Sequence, residues 1–384
     1  MRTALDSSDL LILSAQTGGG HMSLATALQD LLAPDITATI AEPLPRLIAA
    51  QYRWMSRHAR WLWAAGYALT DTPPRALMLH QYFARLFAPA IGELLRKRRY
   101  RLVITTYPFL SYEVKRAIDR LPRPVPLIAL FADPERVHHA WLTERGAAAT
   151  LAPTHETYLQ ALKAGFAPDR LHSTGWPVRR QFCDPDLPSR AATLGSLGLD
   201  PDQFTVFVQG GGEGSAGFAQ CAAALLAAGT PQMILAVGTN QQLGERFHGA
   251  PGVRVARYTP LIAPLMASAD VVIGKVGPNT LIESTMLGKP FIATTYIPGQ
   301  EQGNLAFIQR HGLGWVALDA REQRQIVERL RADPAPLAEM GASVGRYRAW
   351  NAAATELIRT VVSAAIAPRA AVAGGQPHCY TIAP

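Results

Sequence analysis

Cysteine is nearly absent from this chain: three residues in 384, Cys183, Cys221 and Cys379, with no CxxC spacing and no companion histidines. That excludes a disulfide framework and a thiolate zinc site. Long apolar runs are missing too. The longest, such as Leu10-Leu11-Ile12-Leu13, fall far short of the roughly 20 residues that cross a bilayer as a helix, so no transmembrane helix is expected. The N-terminus, MRTALDSSDLLILSA, sets acids before a very short apolar run, which does not read as a signal peptide; a cytoplasmic protein is expected. Acids are in deficit: 29 Asp and Glu against 37 Lys and Arg, a net charge of +8. An anionic membrane, nucleic acid or a phosphorylated ligand therefore enters consideration. HExxH, the kinase set and the P-loop are lacking, and the TGGGH loop is not GxGxxG, so hydrolase and kinase readings have no support and neither nucleotide fingerprint applies to that loop.

What is present is a chain of 384 residues, 48% hydrophobic, long enough for two domains with sizeable cores. Short β-rich runs alternate with helical ones, the signature of parallel α/β units. The expected strands are 10–15, 102–106, 126–131, 147–152, 205–209, 233–237, 271–273 and 290–294, nearly all continuous apolar runs. Such runs suit strands covered on both faces. A Pro- and Asp-rich stretch interrupts the pattern and marks a boundary. The expected layout is a first domain over 1–177, a linker over 178–203, a second domain over 204–342, a C-terminal helix over 343–366 packing back on the first domain, and a flexible tail over 367–384. Ligands of doubly wound sheets bind at the carboxyl ends of strands, so the cleft between domains is the expected site.

An insertion at about 44–101 holds most of the charge excess: between Arg46 and Arg101 there are eleven Arg or Lys against two acids, Asp71 and Glu93. Trp54, Trp61 and Trp63 lie among them with several Tyr and Phe. This composition fits a basic amphipathic membrane-facing surface, and equally two ordinary helices with solvated arginines.

Three loops carry candidate chemistry. The first strand runs through TGGGH into a helix, an arrangement that aims backbone N–H groups at an anion. His21 sits where that loop becomes the helix, either as a base for a substrate hydroxyl or as a helix-start residue. A second glycine loop, Gly210 to Ser215, follows TVFVQ. In the third, KVGPNT, Pro278 sets a helix start near Asn279 or Thr280, with free N–H groups for a phosphate. Glu283, one turn in, suits a ribose or simply the helix terminus. Asp184-Pro-Asp186 and Asp200-Pro-Asp202 spell D-x-D but sit in turn-like contexts, and no metal site is expected.

Taken in order, TGGGH, FADPERVHHAW, TGWPV, VQGGGEG, KVGPNTLIES and YIPGQEQGN resemble the monogalactosyldiacylglycerol synthase group, glycosyltransferase family 28-like enzymes of the GT-B fold. The resemblance covers about 10 to 315 and implies an α/β protein with two Rossmann-like domains facing across a cleft. It also implies an inverting transferase that uses a UDP-hexose, galactosyl or glucosyl, without a tightly held metal or other bound cofactor. By position it implies His21 and Asp133 as catalytic. The donor set it implies is Gly211, Gly212, Glu213, Gly214, Lys275, Gly277, Pro278, Asn279, Thr280, Glu283, Gln300, Glu301 and Asn304. Gly19, Gly20, Trp54, Arg57, Trp61, Trp63, His138 and Trp141 fall on the acceptor and membrane side.

With the resemblance in hand, the basic aromatic insertion reads as a membrane-docking surface. The expected partners are a lipid acceptor such as diacylglycerol and an anionic membrane, with the enzyme peripheral on the inner face of the cell membrane. No helix-turn-helix or RRM accompanies the basic patch, so no nucleic-acid partner is expected. The chain departs from the group where KAGPGT is usual: Val276 and Asn279 replace small residues. A polyprenyl-linked or soluble acceptor, and a UDP-sugar epimerase, are the alternatives.

Overall fold

Every continuous apolar run forms a strand of one of two parallel six-stranded sheets in the computed structural model, which describes residues 10–16, 19–45, 50–51, 54–55, 59–210, 217–227, 229 and 232–367. In the first sheet β1 (Leu10–Leu13), β3 (Leu102–Thr105), β4 (Leu127–Leu130) and β5 (Ala149–Ala152) are buried at every position. Its margins are β2 (Ala38–Ala41) and β6 (Leu171–Ser173), giving the order β2-β1-β3-β4-β5-β6. The second sheet, order β12-β11-β10-β7-β8-β9, has β7 (Thr205–Gln209), β8 (Gln232–Gly238), β10 (Val271–Lys275) and β11 (Phe291–Thr295) inside. Its margins are β9 (Val253–Arg257) and β12 (Gly314–Val316). The four marginal strands escaped the sequence reading: each is only partly buried, β2, β6 and β9 mix polar with apolar residues, and β12 is only three residues long.

Helix α1 (Gly20–Leu32) follows β1 and buries His21, Leu24, Ala25, Leu28 and Leu32, a stripe at three- and four-residue spacing. His21 is the first member of that stripe, which is why an imidazole lies inward. Each buried leucine of the stripe contributes about 2 kcal/mol of transfer free energy.

The insertion forms α2 (Arg60–Thr70) and α3 (Pro73–Lys97), with Pro73 and Pro74 opening α3 where a missing N–H costs nothing. One face of α3 buries Ala76, His80, Ala84, Phe87, Ile91 and Leu95, and it packs on α4 (Ser111–Ile118). The other face, with α2, leaves Trp61 75% and Met78 68% exposed, along with Leu69, Tyr82 and Leu86. Among the described residues, no helix is long and apolar enough to cross a membrane.

The remaining helices are α5 (His155–Lys163), α6 (Arg190–Ser196), α7 (Phe218–Ala227), α8 (Gln241–Phe247), α9 (Ala263–Ala267), α10 (Pro278–Met286), α11 (Gln302–Arg310), α12 (Ala320–Ala332) and α13 (Ala335–Ile366). Helix α13, 32 residues and ~48 Å long, packs on α10 and α12 of the second half and reaches β5 of the first. Near its end the Ile366 carbonyl accepts from Arg101 and Arg359 pairs with Asp35.

Candidate active site

His21 has one ring nitrogen committed. The Thr106 carbonyl lies 2.7 Å from Nδ1; a carbonyl only accepts, so Nδ1 carries the proton and Nε2 presents its lone pair. The Tyr107 ring stands edge-on at 4.9 Å. Burial pushes the His21 pKa from 6.5 down to about 4, against the pull of the Thr106 carbonyl, so the ring is neutral at neutral pH.

The turn that carries His21 meets the second domain directly. Gly20, the residue before it, accepts from Asn279 Nδ2 at 2.7 Å, and Ser23 Oγ donates to Glu283 Oε1 at 3.3 Å. Asn279 and Glu283 both belong to α10, which begins at Pro278, one residue before the expected start, with Gly277 as N-cap. No side chain caps that terminus and its first turn holds no acid, so the opening N–H groups are left for an anion. Thr280 Oγ1 accepts from Gln209 Nε2 at the end of β7.

Glu283 is buried and bound to Arg179, whose Nε and Nη2 lie 3.0 and 2.9 Å from Oε1. Burial raises its pKa, and Arg179 with the Ser23 hydroxyl pulls the other way. Lys275, at the end of β10, pairs with Glu301, whose other oxygen accepts from the Ile297 N–H at 2.8 Å. Asn304 is buried with its amide donating to the Val276 carbonyl, so it braces the KVGPNT loop.

Asp133 lies on the first-domain side. Burial is the main cause that pushes its carboxyl up to about 7; the Trp141 indole, donating at 3.2 Å, opposes, and the charges of Glu301 and Asp71 add to the rise. Trp141 is fully buried, with its indole N–H spent on Asp133. His138 Nδ1 accepts from the Ala140 N–H, so its Nε2 carries the proton, within reach of the Tyr67 carbonyl at 3.3 Å and Thr70 Oγ1 at 3.2 Å. This ties the FADPERVHHAW loop to α2.

Helix α2 in turn touches the donor-side loop. Arg60 donates to the Tyr296 carbonyl, and the Tyr67 ring lies against Gly299. Gly299 has φ +82°, and a Cβ there would stand 3.1 Å from the ring, so glycine answers both needs.

Gly211, Gly212, Glu213, Gly214 and Arg57 lie outside the described residues. Gly19, Gly20, Lys275, Gly277, Pro278, Asn279, Thr280, Glu283, Glu301 and Asn304 gather around the α1–α10 meeting and the loops beside it, while Gln300 is half-buried in the adjoining turn. Trp54 and Trp61 are exposed and Trp63 half-buried, on the insertion. Asp184 and Asp200 each accept from the N–H two residues on, as turn aspartates do, and among the described residues no group of three His, Cys, Asp or Glu is arranged to hold a metal ion. Sequence reasoning missed Arg179, Trp176, Tyr67 and Arg60 as site residues; TGWPVR carried a signal for the first two, and nothing local marked the others.

Residues 29–178 match the model of monogalactosyldiacylglycerol (MGDG) synthase, and 205–342 match the glycosyltransferase family 28 C-terminal domain. Among curated proteins, the chain is 27% identical over 354 residues to a probable monogalactosyldiacylglycerol synthase 2, chloroplastic, of Oryza sativa subsp. indica, covering 85% of this chain and 74% of that protein. It is 26% identical over 348 residues to monogalactosyldiacylglycerol synthase 1, chloroplastic, of Arabidopsis thaliana, covering 83% and 64%. Among solved structures, a UDP-glucosyltransferase from Polygonum tinctorium superposes with a TM-score of 0.61 at 14% identity over 94% of this chain and 100% of that one. The calicheamicin glycosyltransferase gives 0.61 at 16% identity over 94% and 98%. These relatives overturn one expectation: they are chloroplastic proteins, so the inner face of the cell membrane is withdrawn as the location.

Proposed function

We propose, from the premise that this chain is a GT-B glycosyltransferase of the monogalactosyldiacylglycerol synthase and family 28 type, that it transfers a galactosyl or glucosyl group from a UDP-hexose to diacylglycerol at an anionic membrane surface. The observation that carries the reading is the contact between the start of α1, which holds His21, and the first two turns of α10. A base and an anion-binding helix terminus are thereby set side by side, one from each domain.

The acceptor hydroxyl oxygen attacks C1 of the sugar as the bond from C1 to the diphosphate breaks, so the anomeric centre inverts. Nε2 of His21 takes the hydroxyl proton, and UDP leaves with the bonding pair. The α10 N–H groups and Lys275 face the charge that grows on the diphosphate, where preorganised donors lower the barrier most. His21 is a weak base while its surroundings stay uncharged, and the arriving diphosphate favours the imidazolium that forms. Glu283 would take the ribose hydroxyls by exchanging its hold on Arg179. Asp133, close to half-protonated near neutrality, supports the acceptor side.

The exposed apolar face of α2 and α3, set among the arginines of the insertion, supports docking on anionic lipid. The test is transfer of labelled sugar from UDP-galactose and from UDP-glucose to diacylglycerol in anionic vesicles. A chloroform-soluble product that disappears in Glu283→Ala is expected. UDP binding without any lipid product would discard diacylglycerol and turn the search to polyprenyl or soluble acceptors.

A further inference from the structure

The side chain of Asn279 faces out of its own domain. Both ends of its amide are used by the first half of the chain: Nδ2 donates to the Gly20 carbonyl at 2.7 Å, and Oδ1 accepts from the Trp176 indole at 2.9 Å. A carbonyl only accepts and an indole N–H only donates, so these partners fix which way the amide points. Trp176 is itself immobilised. It is fully buried, its N–H donates to Asn351 Oδ1 of α13 at 2.7 Å, and its carbonyl accepts from Asn351 Nδ2 at 2.9 Å. Gly175 before it has φ +65°, with the Asn351 carbonyl oxygen 3.0 Å from where a Cβ would sit. A hydrogen-bonded line thus runs from α13 through Trp176 and Asn279 to Gly20, the neighbour of His21.

We infer that Asn279, acting with Trp176, is a positioning residue that sets the distance between the donor helix and His21, and that its side chain is not a ligand of the diphosphate. The base and the leaving group stand on different domains, so their separation is a property of domain register. A bond from the first turn of the donor helix to the residue beside the base fixes that register where it matters most, because a displacement of about 1 Å costs on the order of a hundredfold in rate. With the amide turned toward the first domain, the opening N–H groups of α10 are left to the diphosphate.

The inference rests on the transfer reaction proposed above for its kinetic readout, and a second readout is independent of it. The full-length protein and its Asn279→Ala, Asn279→Asp, Trp176→Phe and Asn279→Ala/Trp176→Phe variants are compared in turnover, UDP dissociation constant and melting temperature. Asn279→Asp keeps the acceptor for the indole and loses the donor to Gly20, but it adds a negative charge at the helix terminus, so its UDP binding is not used as a readout. The expected result is a fall in kcat of about tenfold or more for each single variant, with UDP binding changed less than about threefold in Asn279→Ala and Trp176→Phe. The double variant should lose little more than the larger single one, since both remove one shared bond. UDP binding weakened with kcat intact, or neither changed, overturns the inference. Without any substrate, amide hydrogen exchange over residues 19–32 and 277–287 should quicken together in Asn279→Ala and Asn279→Asp. Equal exchange in variants and wild type overturns the inference even if diacylglycerol proves to be the wrong acceptor.

Discussion

Two buried histidines of the first domain make an instructive pair. His21 opens α1 with Nδ1 bound to the Thr106 carbonyl, and among the described residues no hydrogen bond engages Nε2. His80, in the middle of α3 and wholly buried, has both nitrogens engaged: Nδ1 with Glu113 at 2.9 Å and Nε2 with the Ala140 carbonyl at 2.9 Å. The carbonyl requires the proton on Nε2, and burial raises the pKa of Glu113 despite its contact with His80. One ring is poised to take a proton from a substrate; the other staples α3 to the loop that holds Asp133. Burial is common to both, so burial by itself does not mark a base. The uncommitted nitrogen and the neighbouring donor helix do.

The contrast breaks most readily at His21. His21→Ala should lower kcat by about two to four orders of magnitude while leaving the UDP dissociation constant nearly unchanged, in the labelled-transfer assay with calorimetric UDP titration. A loss below tenfold would remove His21 as the base. His80→Ala should do the opposite. Stranding the Glu113 carboxyl should cost about 3–5 kcal/mol in urea unfolding, while kcat of the folded protein changes less than about threefold. An inactive but fully stable His80 variant would reverse the assignment.

Acid offers a subtler discrimination. The folded His21 pKa of about 4 lies below its unfolded 6.5, so the unfolded chain binds the proton more readily. The stability His21 contributes is full above pH 6.5 and drains away as pH falls toward 4, at about 1.4 kcal/mol per unit. Between pH 7 and 5 this amounts to about 2 kcal/mol, and it should vanish from the difference between those two pH values in His21→Gln. For the same reason, His21 should add no acid limb to kcat/KM above about pH 5, and a limb near 7 from Asp133 should disappear in Asp133→Asn. An acid limb near 6.5 that survives in Asp133→Asn would mean that the base is not a buried His21. The smallest effect concerns residues that are not buried at all. Trp61→Ser with Met78→Ser on the outer face of α2 and α3 should shift unfolding by less than about 0.5 kcal/mol per site yet reduce co-sedimentation with anionic vesicles several-fold.

The two-domain parallel α/β layout was legible in the sequence because interior strands and strand–glycine–helix loops are local patterns, while the GT-B fold and the transferase class came from the resemblance of the ordered motifs. β1, β3, β4 and β5, and their counterparts β7, β8, β10 and β11, are buried on both faces and read as apolar runs. β2, β6, β9 and β12 are the four sheet margins and only partly buried; the first three mix polar with apolar residues, and β12 spans just Gly314 to Val316. The site shows the same division. The KVGPNT loop was visible, but the hold of Arg179 on Glu283 and of Trp176 on Asn279 spans 104 and 103 residues, and no spacing rule encodes such a pairing. Asn304 was legible as a polar residue near the loop; its role as a brace for Val276 appears only in three dimensions.

The chain passes between its halves twice, once after Trp176 and once along α13, and the two passages are stitched together where Asn351 grips the Trp176 backbone. Bodies joined by a single strand can swivel in any direction; bodies joined by two strands fastened at one point behave like the blades of scissors. Swivelling of one half against the other would therefore have to bend α13 or break the Asn351–Trp176 bonds.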